Sequence, residues 1–142
     1  MNVVRGGVAG IAMVALLGCG PSPITSARIQ TAIETTFANL VEVQISRLGL
    51  PPMAAPDFAV TAICRTQVPD RQAGAGEWVC TLVWQGPDRR TLRDTYDLFV
   101  TTDGCYAATV AGENLGGPVL KASDGRAVRN LLYAFEGCFD TT

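Results

Sequence analysis

Histidine is absent from this chain of 142 residues. That absence removes Ser-His-Asp and Cys-His activation of a nucleophile, together with the commonest metal ligand. Basic clusters are missing too: ten arginines and Lys121 are scattered among 13 acids, for a formal charge of −2 and a pI near 5.0. Nothing in that pattern marks a nucleic-acid surface. No two cysteines have the Cys-x-x-Cys spacing of a zinc or redox site. No apolar run reaches the roughly 20 residues that a membrane-spanning helix needs. With no catalytic set, metal centre or cofactor motif in view, the expectation is a protein that is not an enzyme and takes no cofactor and no metal.

What is present begins at the N-terminus. Met1 to Arg5 carries one positive charge, and Gly6 to Gly18 is apolar or glycine throughout. This is the length of a signal-peptide core and too short for a span. The segment ends Leu16-Leu17-Gly18-Cys19, which resembles the lipobox of bacterial lipoproteins, although Leu17 is bulkier than the residue usual there. The resemblance implies cleavage before Cys19 and a lipid on its thiol. Residues 1–18 then read as a signal peptide, 19–25 as a tether and 26–142 as a single domain. The implied location is the outer face of the bacterial cell membrane, or the outer membrane of a cell that has one. Six residues from Gly20 to Thr25 reach about 20 Å at most, so the domain works close to the lipid surface.

With Cys19 set aside, Cys64, Cys80, Cys105 and Cys138 form an even set in an exported chain, where disulfides persist. Ile29, Ile33, Phe37, Leu40, Val41, Ile45 and Leu48 step by three and four and predict a long amphipathic helix. Thr25 or Ser26 caps it, and Gly49 with Pro51 and Pro52 ends it. Alternating patterns then predict four strands: Phe58 to Cys64, Trp78 to Trp84, Leu92 to Val100, and Cys105 to about Ala111. Asp103-Gly104 marks the hairpin between the last two. Val128, Leu131, Leu132 and Phe135, behind a cap at Ser123 or Asp124, predict a short C-terminal helix ended by Gly137. The fold class expected is α+β: helix, four-stranded antiparallel meander, short helix. On that layout Cys64 pairs with Cys80 across consecutive strands, and Cys105 with Cys138 to pin the C-terminus. In element order alone the layout resembles the repeat unit of β-lactamase inhibitory protein, and no residue transfers from it.

Candidate sites are sparse. Asp94 and Asp97 differ in strand parity and point to opposite faces, and the run from Asp88 to Asp94 reads as a solvated surface. Trp84 at a strand end, Met53 in the "PPMAAP" stretch and Asn114 in the "GENLGGP" loop are the candidates for a partner or ligand surface. The function expected is a membrane-anchored, non-catalytic binding or accessory module for another envelope protein. The alternative is a carrier or sensor of an apolar small molecule or lipid in a pocket between sheet and helix. A hydrolase working by carboxylates alone ranks last.

Overall fold

The computed structural model describes residues 23–142. The predicted signal peptide, Cys19 and the first part of the predicted tether lie outside the described residues.

Helix α1 spans Ser26–Arg47. Thr25 caps it, its hydroxyl accepting from the Arg28 N–H at 3.4 Å. The expected stripe is the buried one, with Ile29, Ile33, Phe37, Val41 and Ile45 inside. Gly49 ends the helix at φ +73°, and the Leu50 N–H returns to the Ile45 carbonyl at 3.0 Å. That six-to-one closure needs a left-handed residue, which glycine adopts without steric cost. Ile24, read from the sequence as tether, is buried in the core. A 3-10 turn over Ala55–Phe58 then plants Phe58 under the sheet.

Strands β1 (Thr61–Thr66), β2 (Gly76–Gln85), β3 (Thr91–Val100) and β4 (Cys105–Val110) follow in antiparallel sequence. Each alternates buried and solvent-facing residues, as one covered sheet face requires. The inward set is Ala62, Cys64, Trp78, Cys80, Leu82, Trp84, Tyr96, Leu98, Val100, Tyr106 and Ala108. Phe37 of α1 packs into its centre, its ring 4.8 Å from Trp84, 5.8 Å from Tyr96 and 6.1 Å from Phe135.

The expected fold is corrected at the C-terminus, where the predicted helix is replaced by strands. Val119–Lys121 (β5) and Ala127–Arg129 (β6) form a separate hairpin, and Ala134–Cys138 (β7) adds to β4 as a fifth strand. The sheet order is β1-β2-β3-β4-β7. A turn and two sets of hydrogen bonds replace the helical spacing. Gly125 at φ +86° turns the β5–β6 hairpin behind Asp124. Asn130, buried, spends its amide on the Leu115 and Gly117 carbonyls and its oxygen on the Leu132 N–H. The Val110 N–H bonds the Tyr133 carbonyl at 3.0 Å, which starts the β4–β7 ladder.

Both expected disulfides are present, and they occupy opposite faces of the sheet. Cys64–Cys80 joins directly opposed residues of β1 and β2 on the buried face. Cys105–Cys138 joins opposed residues of β4 and β7 on the solvent face. Two such bonds are compatible with an extracytoplasmic location.

Candidate functional site

The residues singled out from sequence do not assemble into a site. Trp84 is 2% exposed, and its place against Phe37 corrects its reading as a surface residue. Met53 is half-buried and packs on the core. Asn114 is exposed, but its amide donates to the Arg93 carbonyl at 3.1 Å and so fastens its own loop. Asp94 is also corrected: it is not solvated but 3% exposed. One carboxylate oxygen accepts from the Thr95 N–H at 2.8 Å, and the other has no partner among the described residues. Gly112 makes room for it, since a Cβ there would run into the carboxylate. Burial, and after it the Asp94 charge, holds the Tyr96 phenol well above its ordinary value. Tyr96 stays protonated and donates to the Leu132 carbonyl at 2.7 Å. Among the described residues no group of three His, Cys, Asp or Glu side chains could hold a metal ion.

What the fold does assemble lies on the other side of the sheet. Helix α1 covers one face, and the opposite face is open to solvent. Cross-strand register lines up Glu77, Phe99, Ala107 and Glu136 in one row on that face. Val79, Asp97 and Thr109 form the next row, with Arg65 at its end. Phe99 is 57% exposed and Ile63 74%. Glu77, Asp97 and Glu136 are exposed around Phe99, and none of the three forms an ion pair among the described residues. An exposed aromatic among carboxylates without ion-pair partners suits a cationic, partly apolar contact.

The row ends at the edge strand β7. Cys105 and Cys138 oppose each other without exchanging backbone bonds, because the Phe139 N–H goes to the Gly104 carbonyl. By alternation, the N–H and C=O groups of Ala134, Glu136 and Cys138 point away from β4. None has a hydrogen-bond partner among the described residues.

The patch was legible in the sequence as a break of phase. Phe99 shares the parity of Arg93, Thr95 and Asp97, and Ile63 that of Thr61 and Arg65. The β7 edge had no sequence signal once the segment was read as helix. No protein-family model, curated protein or solved structure matches the chain, and the helix-meander-helix order behind the layout likeness to β-lactamase inhibitory protein is not the order observed, because strands replace the C-terminal helix. No helix among the described residues is long and apolar enough to cross a membrane.

Proposed function

We propose that the protein is an exported lipoprotein, anchored through Cys19, that binds another envelope protein without catalysis. The observation that carries this reading is the exposed Phe99 set among Glu77, Asp97 and Glu136 on the uncovered sheet face. The disulfide-stapled frame supports it, because a rigid surface loses little entropy on binding. Ile24 is packed in the core, and the Gly74 N–H bonds its carbonyl beside the start of β2. The tether therefore enters the domain at the sheet end where Glu77 and Phe99 lie. From Cys19 to Ile24 the chain spans about 17 Å when extended. The patch then faces a partner embedded in, or lying on, the same membrane. The carrier alternative is disfavoured by the aromatic cluster of Phe37, Trp84, Tyr96 and Phe135, which occupies the layer between helix and sheet.

The test is cross-linked recovery of the full-length lipidated protein from native membranes, read by mass spectrometry. One protein at near-stoichiometric yield, lost with Phe99→Ala, is the expected result. Recovery of the bare protein, or of protein with a co-purifying lipid mass, overturns the reading.

A further inference from the structure

The two edges of the sheet are treated differently by the same helix. Along β1, α1 supplies long polar side chains to the edge backbone. Gln30 accepts from the Cys64 N–H at 3.0 Å, Glu34 accepts from the Ala62 N–H at 2.7 Å, and the Ser26 hydroxyl donates to the Cys64 carbonyl at 2.6 Å. Edges capped in this way cannot recruit another strand. Toward β7 the helix presents Ala27, Arg28, Thr31, Ala32, Thr35 and Thr36, and Arg28 donates to the Asp140 carbonyl at 2.6 Å, just past the end of the strand. The Thr31 and Thr35 hydroxyls are spent on the helix's own Ala27 and Thr31 carbonyls. Nothing from that flank reaches the outward N–H and C=O groups of Ala134, Glu136 and Cys138. A groove of about 550 Å³ lies between the flank and the Cys138–Asp140 segment instead.

We infer that β7 is a strand-addition site, which takes an extended segment of the envelope partner, with a cation set to face Glu136, as a sixth, antiparallel strand. This rests on the proposed function and names how that partner is held. The outward groups of Ala134, Glu136 and Cys138 supply a ladder of backbone bonds to the added strand. Side chains specify its sequence, because alternate residues point to opposite faces. On the solvent face, the row Glu77–Phe99–Ala107–Glu136 continues into the incoming residue that faces Glu136. Glu136 is unpaired among the described residues, so a Lys or Arg there completes a cross-strand ion pair. Arg129 shares a groove with Ala134 and Glu136 and favours an acid on the residue facing Ala134. Antiparallel pairing orders these two as Lys-x-Glu. The residue before the Lys faces Gly137 and points to the helix side, where the groove between Ala32, Thr35 and the Cys138–Asp140 segment admits an aliphatic side chain. A second copy of this chain fits less well, since twofold pairing centred on β7 sets Glu136 against its own copy.

The test uses the full-length, 15N-labelled protein in micelles with a nine-residue peptide of alternating threonine and valine around a Lys-Val-Glu centre. The amides of Ala134, Glu136 and Cys138 are expected to shift, and their hydrogen exchange to slow. The same peptide N-methylated at alternate residues, so that its donors toward β7 are removed, leaves them unchanged. Glu136→Lys weakens the peptide about fivefold, and a Glu-Val-Glu peptide, which changes only the residue facing position 136 and keeps the acid facing Ala134, recovers that loss. Three results overturn strand addition: no shift at the highest soluble peptide concentration, shifts without slowed exchange at the three amides, or slowed exchange that depends on protein concentration and needs no peptide. If any of these is found while Phe99→Ala still abolishes cross-linked recovery, the binding-module reading stands and only the edge assignment falls.

Discussion

Cys105–Cys138 is expected to be the first disulfide reduced and the larger contributor to stability. Its reactivity follows from exposure: Cys138 is exposed and Cys105 half-buried, whereas Cys64 and Cys80 lie on the packed face. A thiolate reductant must reach a sulfur in line with the bond, so access controls the rate. The stability contribution follows from sequence separation, 33 residues against 16. In the chain-entropy account these loops correspond to about 4 and about 3 kcal/mol. Against a typical total of roughly 5–15 kcal/mol, loss of the outer bond leaves the domain folded but with much of its margin gone. The assay is limited reduction with dithiothreitol, alkylation and peptide mapping, followed by urea unfolding of the singly reduced species and of a Cys105→Ser/Cys138→Ser variant. The singly reduced form should carry label at Cys105 and Cys138 only, and both forms should lose about 3–4 kcal/mol. Label appearing first at Cys64 and Cys80 would refute the access argument. A loss under about 1 kcal/mol would refute the loop-entropy reasoning.

Phe37→Ala deletes the ring at the centre of the aromatic cluster and is expected to cost about 4 kcal/mol in urea unfolding, with Phe99→Ala within about 0.5 kcal/mol of the parent. Gly137 lies under the Tyr106 ring, and a Cβ there meets the phenol; Gly137→Ala should cost about 1–3 kcal/mol by differential scanning calorimetry. Tyr106→Phe, which loses the hydroxyl's contacts with Thr36 Oγ1 at 3.0 Å and the Ala32 carbonyl at 3.4 Å, should cost about 1 kcal/mol. At alkaline pH the sign is set by Tyr96 and Tyr106, both raised chiefly by burial. Their stabilising effect is complete below pH ~10, where unfolded tyrosine ionises, and is lost as pH rises further. Unfolding midpoints measured from pH 8 to 11 should therefore fall above 10, and fall less in Tyr96→Phe. At acid pH, Asp103 is held low first by the Thr101 hydroxyl, Asp124 by Arg126 and Asp140 by Thr142. Their contribution is present above pH ~4 and fades as pH drops through their folded values; a midpoint that rises on acidification from pH 4 would contradict it.

Much of the molecule follows from local pattern. The spacing of Ile29, Ile33, Phe37 and Val41 specifies α1, because 3.6-residue periodicity leaves one face to bury. The alternation of Trp78, Cys80, Leu82 and Trp84 specifies β2 and its inward face, and with β1 it places Cys64 opposite Cys80. Asp103-Gly104 specifies the hairpin that aligns β3 with β4, with Gly104 at φ +83°. Asp124-Gly125 carries the same turn signal for β5–β6, yet the spacing of Val128, Leu131, Leu132 and Phe135 resembles a helix. Short apolar runs fit either period, and what decides between them lies far away in the chain. The unpaired edge of β4 offers a ladder, the Cys105–Cys138 bond holds the segment in register, and Asn130 anchors the turn before it.

The uncovered face was determined by the sequence, since Ile63 and Phe99 sit on the polar phase of their strands whatever the sheet order. Its partnership with Glu136 was not, because Phe99 and Glu136 share a row only once β7 pairs with β4. The free edge likewise exists only in the folded molecule. It depends on which strand ends the sheet, and on a helix that reaches the backbone of β1 with Gln30 and Glu34 but on the other side reaches only Asp140, past the end of β7, with Arg28. Sequence periodicity sets which face of each element is buried, while long-range backbone pairing sets which donors and acceptors are left unpaired.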